Sequence, residues 1–208
     1  MKLSKGKKLL LLGIALVVAD QVIKFLVKTN MCLGEQFNVI GSWFRILFVE
    51  NEGMAFGMKF GGAAGKFLLS LFRIVLCGLL VWWISSLCKK KETPTGVLVG
   101  LTLITAGAFG NIIDCLFYGL VFSASGWNEV AFFGGHYAPF MFGKVVDMFY
   151  FPIIDTTWPS WLPLIGGKSF TFFDPVFNFA DSCVTVGAFY LILFQYKFFA
   201  RSEEKKTK

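Results

Sequence analysis

An asparagine followed three residues later by an aspartate occurs twice within apolar parts of this sequence. Asn111 precedes Asp114, and Asn178 precedes Asp181. An ionisable side chain among apolar neighbours is costly, so each aspartate is a candidate functional residue that requires a polar partner. Asp20 and Lys24 form a third polar pair, at the spacing that lets two side chains meet on one helix face.

Asp147 lies in the short apolar patch 143–149. If Asp147 and Asp181 were close together and partly out of water, they could not both ionise, and the pair would hold one proton. Such a pair can hydrolyse an amide, because the ionised carboxylate takes a proton from water while the protonated one polarises the scissile carbonyl. The alternative is that these acids are only salt-bridged or hydrogen-bonded packing residues.

Other chemistries have less support from the residues. The chain has one histidine, His136, and no cysteine stands out as its partner, which argues against a Cys–His dyad. The five cysteines are an odd number without a C-x-x-C pair, so neither a disulfide framework nor a zinc site is expected. We expect no metal and no organic cofactor.

The elements that must position these residues are those of a membrane protein. Of the 208 residues, 56% are hydrophobic and only 16% are charged, against roughly 25% charged in an average soluble domain. This balance excludes a disordered chain, a coiled coil and an ordinary cytosolic enzyme. The net charge of +7 comes from lysines and arginines that flank the apolar segments, so nucleic acid is not an expected partner.

Four stretches are long enough to cross a bilayer core, which needs about 20 apolar residues. They are residues 8–27, 67–88, 95–118 and 177–199. Basic residues before the first, between the second and third, and after the fourth predict that both termini are cytoplasmic. The segments 28–66 and 119–176 then lie outside, and the candidate polar residues gather near the outer leaflet.

The start of the chain could be mistaken for a cleavable signal peptide. Its apolar character continues beyond Asp20 to Val27, so we expect residues 1–27 to remain in the mature protein. The β-forming run 44–50 predicts a short strand at the membrane surface. The expected fold is an all-α membrane protein of one domain, 1–208, with four transmembrane helices, a small outer strand region and an interfacial or re-entrant segment that carries Asp147.

Five motifs in order resemble those of the lipoprotein signal peptidase family, also called signal peptidase II. This family consists of four-helix aspartic proteases of the bacterial inner membrane. The motifs cover most of the chain, so together they are far more specific than any single acid. They are D-Q-V-I-K at 20–24, N-E-G-M-A-F at 51–56, G-A-F-G-N-I-I-D at 107–114, G-K-V-V-D at 143–147 and F-N-F-A-D-S at 177–182.

The resemblance implies that the chain removes signal peptides from prolipoproteins, cleaving before a cysteine that bears a diacylglyceryl group. It implies Asp147 and Asp181 as the catalytic dyad. It also implies membrane lipids as surroundings and cyclic peptide antibiotics as inhibitors. The sequence gives no oligomeric state, but a single small bundle can work alone, so we expect a monomer. The substrate-binding or supporting residues implied by the matching motifs are Asn51, Gly53, Asn111, Asp114, Asn178, Asp20 and Lys24.

The sequence departs from the family pattern in two ways. Cys115 stands where the family usually has an arginine, and we hypothesise that Arg73, a charge inside the second span, replaces that cation. The competing interpretation is that Arg73 only snorkels to the interface. The stretches 119–142 and 152–176 look like insertions that lengthen an interfacial lid or bind a partner.

Two other classes of protein remain open from the residues alone. A small proton-coupled carrier would use buried acids to move a solute rather than to cleave a bond. A scaffold would use the same polar residues only to pack its helices. Purified protein with either aspartate replaced separates these classes, because only a protease loses cleavage of a lipidated precursor.

Overall fold

A computed structural model describes residues 3–52 and 62–204 of the chain. The described helices begin with α1 (Lys5–Asn30), α2 (Gly62–Cys88) and α3 (Thr95–Ile113). A π-helical segment, Asp114–Tyr118, and the short α4 (Gly119–Val121) continue α3 without a break. The remaining helices are α5 (Phe179–Phe194) and α6 (Tyr196–Glu204).

Three of the described helices are long and apolar enough to cross a membrane: Lys5–Asn30, Gly62–Cys88 and Thr95–Val121. The prediction of four spans is not confirmed, because α5 has only 16 residues and spans about 24 Å of a core that is about 30 Å thick. Residues 177–199 are not one helix. Phe177 belongs to a strand, and the chain leaves helical geometry at Gln195 before α6 begins.

The prediction of an all-α fold with only a small outer strand region is not confirmed, since the outer segments form two antiparallel sheets. The larger has the order β1-β2-β3-β6, and β4 pairs with β5 in the smaller. The strand predicted at 44–50 is confirmed as β2. The strands are β1 (Gln36–Ile40), β2 (Phe44–Asn51), β3 (Val145–Tyr150), β4 (Ile154–Thr157), β5 (Ser169–Phe172) and β6 (Val176–Phe177).

The segment that carries Asp147 is an interior strand of the larger sheet, and its interfacial or re-entrant position in a membrane stays a prediction. β3 lies between β2 and β6, and Val49 of β2 is opposite Asp147. Val145, Val146 and Met148 are buried, and such residues favour a strand that is covered on both faces. Pairing with β2 holds the backbone at Asp147, and pairing with β6 holds the same strand two residues further on, at Phe149.

One hydrophobic cluster joins this sheet to the ends of α1 and of the third helix. Phe48, Val146 and Met148 contribute from the sheet, and each is 0% exposed. Burial of such side chains stabilises the contact by about 1.5–3 kcal/mol each. The cluster comprises Val27, Met31, Phe48, Tyr118, Phe122, Val146 and Met148.

Glycines let the helices approach α3 closely at the level of the polar residues. A Cβ added at Gly107 would lie 2.2 Å from the carbonyl oxygen of Ala180 on α5, and one at Gly110 would lie 2.5 Å from Asp20 Oδ2. A Cβ at Gly143 would lie 2.1 Å from the carbonyl oxygen of Asp114. Any side chain at these positions would push away an element that supports the aspartates.

Candidate active site

Lys24 is the centre of the polar network within the helices. Its Nζ lies 2.9 Å from Asp20 Oδ2 and 2.7 Å from Asp114 Oδ2, and its side chain is 0% exposed. It also donates to Asn111 Oδ1 at 2.8 Å. The predicted pairing of Asp20 with Lys24 is confirmed, and the same ammonium reaches a second carboxylate on α3.

Gln21 completes this network, and the sequence analysis did not single it out. Its Nε2 donates to Asp20 Oδ2 at 3.1 Å, to Asp114 Oδ1 at 3.0 Å and to the carbonyl oxygen of Gly110 at 3.2 Å. The only signal was its place in the 20–24 motif. One amide and one ammonium thus satisfy two carboxylates, which keeps the buried charges compensated.

Asp20 and Asp114 connect this network to the elements that carry the other aspartates. The backbone N–H of Ala180 donates to Asp20 Oδ1 at 2.9 Å, at the start of α5. The backbone N–H of Val146 on β3 donates to Asp114 Oδ2 at 3.4 Å. A carboxylate beside a helix N-terminus is favoured, because the first backbone N–H groups have no partner within the helix.

A capping box fixes Asn178 and Asp181 at the start of α5. The backbone N–H of Asp181 donates to Asn178 Oδ1 at 2.9 Å, and the backbone N–H of Asn178 donates to Asp181 Oδ2 at 3.4 Å. Reciprocal bonds of this kind stabilise a helix start. The three-residue spacing seen in the sequence therefore has a local structural cause as well as a place in the site.

Asparagine amides link the two aspartates that the resemblance singled out. Asn178 Nδ2 donates to Asp147 Oδ1 at 2.7 Å and to Asn111 Oδ1 at 3.0 Å. Asn111 Nδ2 donates to Asp181 Oδ1 at 2.8 Å. Asp147 comes from the sheet and Asp181 from α5, so the tertiary structure brings together two acids from distant parts of the chain.

Asp147 is in the surroundings expected of a carboxyl group that keeps a proton. Asp147 is buried, with 3% of its surface exposed. Burial raises its pKa, and the nearby charge of Asp181 raises it further, to about 7, although hydrogen bonds from Asn178 and Asn51 oppose the shift. Asn51 Nδ2 donates to Asp147 Oδ2 at 3.2 Å. Near neutral pH the group therefore populates both protonation states, as acid–base chemistry requires.

Arg73 on α2 contacts Cys115, the residue that stands where the resemblance predicts an arginine. Its Nη1 donates to Cys115 Sγ at 3.8 Å, and Cys115 is 2% exposed. The guanidinium therefore lies beside the residue that replaces the family's arginine. Gly53, the remaining predicted site residue, lies outside the described residues.

The residues considered for other chemistries lie elsewhere. His136 is exposed in the stretch 119–142, and all five cysteines are free. Within residues 3–52 and 62–204, no three His, Cys, Asp or Glu side chains are grouped as a metal site needs. Asp147 and Asp181 are the two carboxyl groups that the asparagine amides hold in this part of the chain.

Comparison with protein families gives a match over most of the chain. A family described as signal peptidase (SPase) II matches residues 12–197. The lipoprotein signal peptidase of Porphyromonas gingivalis is 50% identical over 194 residues, which are 92% of this chain and 84% of that protein. The lipoprotein signal peptidase of Amoebophilus asiaticus is 36% identical over 87% of this chain and 75% of that protein.

A solved structure has the same fold. It is described as a bacterial membrane enzyme determined by the in meso method at 2.3 Å resolution. The TM-score is 0.60 at 25% sequence identity, and the alignment covers 92% of this chain and 88% of that chain. The similarity thus extends across the helices and the sheets that carry the polar network.

Proposed function

The chain belongs to the signal peptidase II family, and on that basis we propose that it removes signal peptides from prolipoproteins by aspartic catalysis. Asp147 and Asp181 are the catalytic carboxyl groups in this proposal. The bond that breaks is the peptide bond on the N-terminal side of a cysteine that carries a diacylglyceryl group.

One arrangement carries this function: Asp147 and Asp181 are joined through the amides of Asn178 and Asn111. The charge of Asp181 is close enough to help raise the pKa of Asp147 to about 7, after burial as the larger cause. Two carboxyl groups that share one proton are the requirement for water activation without a metal. If Asp147 served only to pack the elements of the fold, its carboxyl group would not need to titrate near neutral pH.

In the first step, the ionised carboxylate takes a proton from water while the protonated one donates a hydrogen bond to the scissile carbonyl. The water oxygen then attacks the carbonyl carbon, and the carbonyl oxygen takes up the proton. In the second step, the C–N bond of the tetrahedral intermediate breaks, the leaving nitrogen receives a proton from one carboxyl group, and a hydroxyl group of the intermediate returns its proton to the other carboxylate. The carboxyl pair ends with one proton, as it began.

The asparagines and the Lys24 network position the dyad. Asn178 donates to Asp147, and Asn111 donates to Asp181. Lys24 holds Asn111 by its amide oxygen, which leaves the amide nitrogen to face Asp181. Because the donors are fixed before substrate arrives, the carboxyl groups need little rearrangement during the reaction.

The chemistry of the substrate agrees with a site near the outer leaflet. Its two acyl chains partition into the bilayer with about 0.8 kcal/mol for each buried CH₂, so the modified cysteine stays at the membrane interface. We propose an inner-membrane protein with both termini in the cytoplasm and a monomer as the working unit. Membrane lipids surround it, and cyclic peptide antibiotics that inhibit the family are expected to compete with substrate.

Two substitutions test the dyad. Asp147→Asn and Asp181→Asn each remove a titratable group and keep a similar volume, so each is expected to abolish cleavage of a purified lipidated precursor in detergent. Asp155→Asn is the matched control, because Asp155 is an exposed aspartate on β4. Cleavage near the wild-type rate in both variants would reject the aspartic mechanism. A proton-coupled carrier would instead show pH-dependent uptake in proteoliposomes and no proteolysis.

A further inference from the structure

A second buried ionic cluster lies outside the proposed catalytic residues. Lys28 Nζ donates to Glu50 Oε1 at 2.5 Å and to Ser125 Oγ at 2.9 Å. Lys144 Nζ lies 3.2 Å from Glu50 Oε2. The side chains of Lys28 and Glu50 are 0% and 3% exposed, and that of Lys144 is 36% exposed. A buried charge is destabilising unless it is paired, so Lys28 and Glu50 each depend on the other for stability in this position.

The long outer segment closes this cluster. Ser125 Oγ donates to Glu50 Oε1 at 2.9 Å, and Tyr137 OH accepts the backbone N–H of Lys144 at 2.8 Å. The Lys28 ammonium lies 4.9 Å from the centre of the Tyr137 ring and 5.5 Å from that of Phe122. The stretch 119–142 therefore supplies the walls and one hydroxyl of an ionic cluster that ties α1 to the sheet.

Glu50 stays ionised in this environment. Burial opposes its ionisation, but the ammonium of Lys28, together with Lys144 and Ser125, holds the pKa of Glu50 below its ordinary value. One carboxylate that faces two ammonium groups is an attachment point between α1 and the sheet. A cluster of this kind fixes a backbone position rather than transferring protons.

The position that it fixes is next to the dyad. Asn51 follows Glu50 on β2 and donates to Asp147 Oδ2 at 3.2 Å. Glu50 is opposite Val146 in the ladder, and Asn51 is opposite Val145. Since side chains alternate along a strand, Glu50 on the core face directs Asn51 to the face that carries Asp147.

The regular ladder does not determine this orientation by itself. The register of β2 against β3 shifts between Ile46 and Val49. Ile46 is opposite Phe149, whereas Val49 is opposite Asp147. Three steps on β2 therefore match two on β3. A slip of one residue beyond this bulge would turn Asn51 to the core face.

We propose that the Lys28–Glu50–Lys144 cluster, closed by Ser125 and Tyr137, is a positioning device that holds Asn51 against Asp147. This positioning role rests on the proposed function, since it assumes that Asp147 is catalytic. Glu50 acts through Asn51 and does not touch substrate. The stretch 119–142 is then an internal support of the catalytic strands.

The pH dependence of cleavage distinguishes positioning from a general loss of stability. The Asn51 amide favours the ionised form of Asp147, so its displacement raises the pH at which Asp147 loses its proton. The charged groups that act on Asp147 are Asp181 on α5 and Lys24 on α1, and Asp114 accepts the backbone N–H of the neighbouring Val146. Changes at Glu50 leave these three in place.

The test compares Glu50→Gln, Asn51→Ala and the double variant on a lipidated precursor in detergent. We expect Glu50→Gln to lower kcat about tenfold, the effect of one lost hydrogen bond to a charged group. KM is expected to stay near the wild-type value, and the alkaline midpoint of the kcat profile is expected to move to higher pH. The kcat of the double variant should equal that of Asn51→Ala alone, because Glu50 acts only through Asn51.

Arg45→Gln is the control, since Arg45 is on β2 but pairs with the exposed Asp155.

Two results would overturn the positioning role. The first is that Glu50→Gln leaves both kcat and the alkaline midpoint of its pH profile unchanged. The second is that the reduction of kcat in the double variant equals the product of the reductions in the two single variants. If Glu50→Gln does not fold because Lys28 loses its partner, Lys144→Gln removes the half-exposed part of the cluster, and the same criteria apply. Activity in Asp147→Asn would reject the catalytic proposal itself, whereas an inactive Asp147→Asn with multiplying losses rejects only the role of Glu50.

Discussion

At the scale of single residues, amides rather than charges set the geometry of the two carboxyl groups. Asn178 and Asn111 each donate to one aspartate, and Lys24 acts one contact further away through Asn111. An amide can donate to a carboxyl group in either protonation state, so its contact survives the transfer of a proton. Such an environment suits a pair that must exchange its proton during each cycle.

The raised pKa of Asp147 predicts a dependence of stability on pH. Its folded pKa of about 7 exceeds the value of about 3.9 for an unfolded aspartate. The folded state therefore loses stability as the pH rises from about 4 through about 7. Asp147→Asn removes this loss, so its unfolding temperature in detergent should exceed that of the wild type at pH 8 and approach it at pH 4. Equal differences at both pH values would contradict the shift.

Arg73 predicts a kinetic effect that a snorkelling side chain would not cause. If its guanidinium replaces the arginine missing at position 115, Arg73→Gln should lower cleavage of the lipidated precursor about tenfold, as loss of a charged hydrogen bond does. Arg73→Lys should recover part of the rate, because the charge remains. Processing by Arg73→Gln at the wild-type rate would show that the cation has no part in catalysis.

At the scale of elements, the site depends on the close approach of α3 and α5 and on the strands β2 and β3. The N-terminus of α5 carries Asp181 and also donates a backbone N–H to Asp20. β3 carries Asp147 and donates a backbone N–H to Asp114. The helices and the sheet are thus joined through the same carboxylates that surround the site.

The contact between α3 and α5 should be sensitive to a single methyl group. Gly107→Ala would place its Cβ 2.2 Å from the carbonyl oxygen of Ala180, so α5 must shift and move Asp181. We expect a lower unfolding temperature and a loss of cleavage of about tenfold or more, since small displacements of reacting groups are costly. Gly78→Ala is the control on α2, because nothing lies within 4 Å of its added Cβ. Normal activity of Gly107→Ala would mean that the helices tolerate separation.

At the scale of the whole molecule, the outward surfaces of the helices are apolar and a run of lysines lies at the end of α2. Leu10, Leu68 and Ile192 are each more than 60% exposed, as expected for side chains that face lipid. Lys89–Lys91 follow α2 directly. The positive-inside rule then assigns this link to the cytoplasm and the sheets to the opposite side.

This topology can be tested with a membrane-impermeant thiol reagent on intact spheroplasts. Leu164→Cys and Lys90→Cys, each in a background with the five native cysteines replaced, put one exposed thiol on either side. Leu164 is 93% exposed and Lys90 is exposed, so the membrane alone limits labelling. We expect Leu164→Cys to react and Lys90→Cys to react only after lysis. The reverse pattern would invert the proposed orientation.

The sequence by itself determined the class of protein, the places of the first three apolar segments and the identity of most polar residues near the two aspartates, although the helices extend beyond the predicted bounds. Hydropathy depends on composition within one segment, and pairs such as Asp20 with Lys24 depend on helix periodicity, so both can be derived locally. The family motifs also singled out Asp147 and Asp181. The fourth segment was predicted too long, because the cap at Asn178 and the break at Gln195 are features of backbone geometry that hydropathy does not record.

Only the tertiary structure decided that Asp147 lies on a sheet strand and that Asn178 joins it to Asp181. Strand pairing connects residues about a hundred positions apart, as Val49 and Asp147 do, and a short apolar run does not specify its partner. The cluster of Lys28, Glu50 and Lys144 could not be read from spacing for the same reason, since its members come from separate elements. Charged residues that are far apart in the chain form one cluster only when tertiary packing brings them together and removes the water that would otherwise solvate each charge.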